Sequence, residues 1–99
     1  MQLLERRIRE DGEVLPGGIL KVDGFLNHQM DPELLMEMAR EFHRLFAGDK
    51  VNKILTIEAS GIGPACFAGL AFGCPVLFAK KNHTRNLSGE FWTAEVHSF

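Results

Sequence analysis

The turn Ser60-Gly61-Ile62-Gly63-Pro64 has the residue types of an anion-binding site. An apolar, β-branched segment precedes it and small apolar residues follow it, so we expect the turn to join a strand to a helix. The start of such a helix presents free backbone N–H groups and the positive end of the helix dipole. Glycine lets the backbone approach a phosphate, Ser60 adds a hydroxyl donor, and Pro64 is expected at the first helical position. The turn therefore predicts a phosphate site, although the same residues could serve only a tight strand-to-helix connection.

Lys80 and Lys81 directly follow the next apolar segment, which is rich in strand-forming residues. Ligands of open α/β sheets bind at the carboxyl ends of parallel strands, so these lysines are expected at the same edge as the glycine turn. The alternative is that they form a solvated strand end. Because both features are expected at one edge, we interpret them as parts of one site for a pyrophosphate group.

A polar cluster over residues 27–29 lies close to the apolar residues Leu20, Phe25 and Leu26. A purine pocket needs this mixture, because apolar side chains cover the ring and an amide distinguishes its exocyclic oxygens. The alternative, which the residues leave open, is that Asn27 caps a turn.

The elements that must position these residues alternate between helix and strand. Periodicity and turn residues predict them in this order: a helix over 2–11, a β-prone run after a break at 16–18, an irregular segment over 23–29, a helix from Asp31-Pro32 to Gly48, a strand over 51–57, a helix over 65–72 closed by Gly73, a strand over 75–79, an exposed polar loop over 80–90 and a further strand from 91 to 99. Strand, turn, helix and strand over 51–79 predict a parallel βαβ unit with a right-handed crossover. The predicted fold class is therefore α/β.

The composition excludes several classes of protein. With 99 residues, 45% hydrophobic content and a net charge of −2, the chain suits one globular unit and lacks the basic surface of a nucleic-acid-binding protein. It has neither a membrane-span pattern nor a signal peptide, so we expect a cytoplasmic location. Cys66 and Cys74 are expected to be reduced core residues, and the four histidines show no metal-ligand spacing.

Three segments resemble consecutive signatures of bacterial xanthine phosphoribosyltransferases: Leu20-Lys21-Val22-Asp23-Gly24-Phe25-Leu26-Asn27-His28-Gln29-Met30-Asp31-Pro32, Ile57-Glu58-Ala59-Ser60-Gly61-Ile62-Gly63-Pro64-Ala65 and Val76-Leu77-Phe78-Ala79-Lys80-Lys81. The first is particular to these enzymes, whereas the other two resemble the pyrophosphate loop and basic strand end of type I phosphoribosyltransferases in general. The resemblance extends over essentially all 99 residues. Gly24 and Lys80 depart from it, since the family usually has serine and arginine there.

The resemblance implies a partial type I phosphoribosyltransferase fold, in which 1–99 is the N-terminal portion of a single domain. Residues 1–50 would form the helical and base-binding hood segment, and 51–99 the βαβ unit, a flexible loop and the start of the next strand. No segment resembles the family's strand that ends in two acidic residues and a loop around the ribose 5-phosphate. We therefore expect a chain truncated before the phosphoribosyl-binding strand and unable to complete the reaction by itself.

The activity implied by the resemblance is purine salvage. The enzyme would transfer phosphoribosyl from 5-phosphoribosyl-1-pyrophosphate (PRPP) to xanthine, giving xanthosine 5′-monophosphate (XMP) and pyrophosphate. The resemblance implies that Leu20 and Asn27 contact xanthine, and the motif and resemblance together assign Ser60, Gly61 and Lys81 to pyrophosphate. No side chain is expected to act as acid, base or nucleophile, and residues 82–90 would close over the site. Mg²⁺ would arrive with PRPP, bound by none of these residues, and the enzyme would be a homodimer without nucleic-acid or membrane partners.

Two other functions stay open. One is a phosphoribosyltransferase with a different base specificity, such as guanine or adenine. The other is a non-catalytic, purine-responsive regulator, a class that carries an added DNA-binding helical domain. The sequence has neither a helix-turn-helix order nor a basic face.

Overall fold

The structure is a computed structural model that describes residues 1–81 and 92–95. Its elements follow one another in this order: α1 (Gln2–Asp11), β1 (Glu13–Leu15), β2 (Ile19–Lys21), a π-helical turn (Asp23–Asn27), α2 (Pro32–Leu45), β3 (Ile54–Ile57), α3 (Ile62–Phe72) and β4 (Val76–Ala79). The strands form two short sheets, one antiparallel and one parallel. The predicted α/β class is therefore confirmed.

β3, α3 and β4 form the predicted parallel βαβ unit. Ile54 lies opposite Val76 and Ile57 lies opposite Ala79 in the parallel register. β3 begins three residues later than predicted, because the pairing ends at Pro75, whose carbonyl accepts the Ile54 N–H at 3.0 Å and whose own nitrogen carries no hydrogen. The strand is short, but its carboxyl end lies where the sequence placed it.

The break at residues 16–18 is the loop of a β-hairpin. β1 and β2 pair in antiparallel register, with Leu15 opposite Ile19. Gly17 and Gly18 have φ angles of 86° and 73°, a left-handed conformation that glycine adopts without the steric cost of a side chain. The hairpin places Leu20 on β2, where it is 45% exposed.

The segment predicted to be irregular is a compact π-helical turn, so that prediction was wrong. The carbonyl of Asp23 accepts the N–H groups of His28 at 3.2 Å and Gln29 at 2.7 Å. Phe25 is 1% exposed and packs with Val22 and Leu34 in the core. Burial of this one aromatic ring stabilises a compact turn in a segment whose local sequence favours a loop.

α2 begins where the sequence predicts. The Asp31 carboxylate accepts the N–H groups of Glu33 at 3.0 Å and Leu34 at 3.3 Å, and Pro32 occupies the first helical position. The helix ends at Leu45, before Gly48. Its first half is buried through Leu34, Leu35 and Ala39, whereas its last turn is largely exposed.

Arg7 of α1 joins the cap of α2 to the core. Its guanidinium lies 2.6 Å from the Asp31 carboxylate and 2.8 Å from the Asp11 carboxylate, and 5.0 Å from the centre of the Phe25 ring. The hydrogen bond from Arg7 lowers the pKa of Asp31 below its ordinary value, and the bond from the Leu34 N–H lowers it further. The negative charge on Asp31 therefore stabilises the folded chain.

We predict that Asp31→Asn reduces the acid sensitivity of the fold. Because the pKa of Asp31 is lower in the folded state, its charge stabilises the fold above the unfolded pKa of about 3.9, and this stabilisation is lost as pH falls through the lower folded value. Thermal melts followed by circular dichroism at neutral and acidic pH should show that wild type loses more of its Tm than Asp31→Asn does. Asp49→Asn, at an exposed carboxylate without an ion pair in the described part, is the control. Equal losses of Tm in both variants would contradict the role given to Asp31.

Two sequence predictions concern the end of the chain. Apart from Lys80 and Lys81, the polar loop predicted over 80–90 lies outside the described residues. Of the strand predicted from 91 to 99, only 92–95 are described, and these have no regular structure. No helix in the described ranges is both long and apolar enough to cross a membrane.

Candidate functional site

The glycine turn and the lysine pair leave the parallel sheet at the same edge. Since Ile57 is opposite Ala79 in a parallel register, both strands end side by side. The Glu58 N–H donates to the Ala79 carbonyl at 3.1 Å, and the Lys81 N–H donates to Oε1 of Glu58 at 2.5 Å. The two segments that the sequence predicted to share an edge are therefore adjacent and hydrogen-bonded to each other.

α3 begins earlier than predicted, which changes the position of Pro64. Gly61 is the N-cap and Ile62 is the first helical residue, because the Ile62 N–H bonds to the Ala59 carbonyl at 3.2 Å and the Ala65 N–H to the Gly61 carbonyl at 3.0 Å. Pro64 is therefore the third helical residue, and its predicted place at the first position was wrong. It breaks no intrahelical bond there, since the first four N–H groups of a helix have no partner within it, but it removes one donor from the helix start.

The remaining donors of the turn are the backbone amides of Ser60, Gly61 and Gly63. These three amides form no hydrogen bond with any other residue in the described part of the chain. Ser60 is exposed, and Gly61 and Gly63 are half-buried. Unpaired amides at the start of a helix can accept an anion as their ligand, so the local geometry provides the donors that a phosphate needs.

The two glycines of the turn differ in how firmly their surroundings require them. A Cβ atom on Gly61 would lie 2.5 Å from Oγ1 of Thr56 and 3.2 Å from the Ile57 carbonyl oxygen, whereas one on Gly63 would meet the end of the flexible Met30 side chain, which can move. Neither glycine has a positive φ, so backbone conformation does not require them. Close packing therefore explains Gly61, and the candidate anion site is defined by the free amides and the lysines.

The two lysines differ in what they contact. The Lys80 ammonium lies 5.9 Å from the centre of the Phe78 ring, a cation–π distance. Lys81 is exposed, and its ammonium forms no ion pair with a described residue. Neither ammonium is ion-paired with a described residue, and Lys81 is the one whose backbone is bonded to the segment of the glycine turn.

On the base side, Asn27 is the last residue of the π-helical turn, and its side chain is exposed. It forms no hydrogen bond with the described residues, whereas Nε2 of Gln29 donates to the Gly24 carbonyl at 3.0 Å. Gln29 thus makes the turn-stabilising bond that was the alternative role for Asn27, and the Asn27 amide is left available. The contact between Met30 and Gly63 connects this segment to the glycine turn.

The prediction that both cysteines lie in the core was wrong for Cys66. Both thiols are free, but Cys66 is exposed and only Cys74 is half-buried. Cys66 lies about 100° around α3 from Ala65, outside the buried stripe formed by Ala65, Ala68 and Gly69. No group of three or more His, Cys, Asp or Glu side chains in the described ranges is placed to hold a metal ion.

Sequence reasoning missed Glu58, the residue that connects the two halves of this edge. The available signal was its position, since a carboxylate directly after a strand lies near the carboxyl edge where ligands bind. Its partner could not be predicted, because the bond to the Lys81 N–H depends on the register between β3 and β4.

Fold and site together define an α/β protein whose parallel βαβ unit carries free amides and a lysine at its carboxyl edge, as in phosphate-binding proteins. Comparison with curated proteins is more specific. The chain is similar over all 99 residues to xanthine phosphoribosyltransferases of Leuconostoc mesenteroides (54% identical, 52% of that protein covered), Latilactobacillus sakei (54%, 51% covered) and Lachnoclostridium phytofermentans (57%, 51% covered). The chain is homologous to these xanthine phosphoribosyltransferases over its whole length, which confirms the resemblance, and it spans about half the length of the curated relatives it matches. No protein-family model matches it.

Proposed function

We propose that the natural gene product, whatever its full length, transfers phosphoribosyl from PRPP to xanthine and releases XMP and pyrophosphate. The observation that carries this proposal is the similarity of the whole chain to xanthine phosphoribosyltransferases at 54–57% identity in the three relatives named above. The adjacency of the glycine turn and Lys81 at one sheet edge supports it independently.

In this proposal the protein acts chiefly by electrostatic positioning. The bond from the ribose to pyrophosphate breaks, so negative charge develops on the leaving group. The amides around Ser60 and Gly61 and the Lys81 ammonium stabilise that charge, and no side chain serves as nucleophile. Leu20 covers a face of the purine, and the Asn27 amide distinguishes its exocyclic oxygens.

The proposal includes Mg²⁺, which would enter the site bound to PRPP. The edge offers N–H and ammonium donors, which repel a cation, and the one described carboxylate there, Glu58, already accepts a hydrogen bond. These residues suit a metal held by the pyrophosphate oxygens of the donor and not by the protein. Bound in that way, Mg²⁺ would neutralise part of the leaving group's charge.

The proposal also covers the domain organisation and the assembly of the protein. Residues 1–99 form the N-terminal portion of one domain with a partial type I phosphoribosyltransferase fold, divided into 1–50 and 51–99. Packing of α2 against α3 supports one unit. One face of the parallel sheet is apolar and open, with Leu55 70% and Leu77 56% exposed, which supports burial of that face in the complete enzyme. The enzyme is a homodimer in the cytoplasm that binds neither nucleic acid nor membranes.

The proposal is tested by steady-state assays of the natural gene product with PRPP and xanthine, guanine or adenine. We expect kcat/KM to be highest for xanthine. A higher value for another base would contradict the base specificity. Purine binding without transfer to any base would favour the regulator and contradict the enzyme.

A further inference from the structure

Glu58 holds together the two segments of the candidate pyrophosphate site. It follows β3 directly, and its N–H extends the pairing by donating to the Ala79 carbonyl at 3.1 Å. Its carboxylate then accepts the Lys81 N–H at 2.5 Å. Glu58 therefore fixes the end of β4 through its backbone N–H. It fixes the backbone of Lys81 through its side chain.

The carboxylate acts on the backbone of Lys81 and not on its charge. Glu58 forms no salt bridge with a described lysine, so the bond leaves the Lys81 ammonium available for an anion. A hydrogen bond from an N–H to an ionised carboxylate is stronger than one between neutral groups. In the described part, it is also the only hydrogen bond of the Lys81 amide.

A negative charge at this edge would weaken anion binding unless it had another role. Glu58 is half-buried and begins the segment that continues into Ser60 and Gly61. Because it is covalently part of the turn and hydrogen-bonded to Lys81, it sets the separation between the amide donors and the start of the lysine side chain. Donors held in place before the ligand arrives bind and stabilise charge better than donors that must be ordered by it.

We infer that Glu58 is a positioning residue for pyrophosphate binding, which fixes the Lys81 backbone against the glycine turn. This inference rests on the proposed function of that site. An amide oxygen at position 58 would still accept the Lys81 N–H, whereas alanine would not. If Glu58 acts through this hydrogen bond, Glu58→Ala should weaken PRPP binding much more than Glu58→Gln does. If it acted through its charge, the two variants would have the same effect.

The test uses the natural gene product with three variants: Glu58→Ala, Glu58→Gln and, as a matched control, Glu13→Ala at an exposed glutamate of β1. Glu58→Ala should raise KM for PRPP about tenfold and change KM for xanthine by less than about twofold, as expected for the loss of one charge-assisted bond. Glu58→Gln should restore KM for PRPP to within about threefold of wild type. Hydrogen exchange of the Lys81 amide, measured without substrate, should accelerate in Glu58→Ala only.

Failure of this inference and failure of the proposed function give different results. If wild type transfers no phosphoribosyl group to xanthine, the proposed function fails. The affinity for inorganic pyrophosphate, measured by calorimetry, is then compared among the same variants in place of KM. The inference is overturned if Glu58→Ala keeps wild-type affinity and amide protection. It is also overturned if both variants weaken PRPP and xanthine equally, which would indicate a general loss of structure.

Discussion

Replacing Lys81 with alanine is expected to raise KM for PRPP by roughly 10- to 100-fold and to change KM for xanthine by less than about threefold. The reason is that Lys81 carries a cation without a described ion pair at the carboxyl edge of the sheet, the edge that also carries the unpaired amides, whereas the base-side residues lie on another segment. Steady-state kinetics of the natural gene product with each substrate varied in turn would measure both constants.

The control for this variant is Lys53→Ala. Lys53 is also exposed, but it precedes β3 and so lies at the amino edge of the same sheet. Its loss should leave both constants near wild type. An equal rise in both constants for Lys81→Ala, or an equal effect of Lys53→Ala, would contradict a leaving-group role for Lys81.

Replacing Phe25 with alanine is expected to lower the free energy of unfolding by about 3–5 kcal/mol. Phe25 is 1% exposed, packs with Val22 and Leu34, and lies under the Arg7 guanidinium. Its removal leaves a cavity in the core and withdraws the anchor of the π-helical turn that presents Asn27. Chemical denaturation would measure the loss, and weaker xanthine binding should accompany it.

Phe46→Ala provides the comparison, since Phe46 is 51% exposed. Truncating this ring should cost much less, because a half-exposed side chain gives up less buried area and leaves no enclosed cavity. Similar losses of stability in the two variants would show that Phe25 is not the anchor described above.

Much of the fold could be predicted because its signals are local. Asp31 and Pro32 are a cap and a first-turn residue whose roles follow from side-chain chemistry, and α2 begins there. The parallel βαβ unit followed from the order of strand, turn, helix and strand. Gly73, with a φ of 68°, ends α3 as a left-handed cap, and its position was evident from the sequence.

The predictions that were wrong concern features that depend on tertiary contacts. The π-helical turn forms around a buried Phe25, and its local residues favour a loop. The exposure of Cys66 depends on which side of an apolar helix meets α2 and the sheet. α3 begins at Ile62 because of two backbone bonds within the turn, which residue types alone do not specify.

The placement of the candidate site residues was predictable to the same extent, whereas their roles stay predictions. Parallel pairing places Ser60, Gly61 and Lys81 at one edge, and the sequence indicated that pairing. It could not indicate that Gln29, and not Asn27, bonds to the backbone of this turn, since both are amides in one short segment. Nor could it indicate that Glu58 bonds to the Lys81 N–H, because that contact is set by strand register.

The central claim is that the amides of the glycine turn and the Lys81 ammonium bind one pyrophosphate group. A crystal structure of the natural gene product with bound pyrophosphate tests this most directly. We predict pyrophosphate oxygens within about 3 Å of an amide of Ser60 or Gly61 and of Nζ of Lys81 in the same site. Pyrophosphate bound at the amino edge of the sheet, or in contact with one of these groups while the other points away, would contradict the claim.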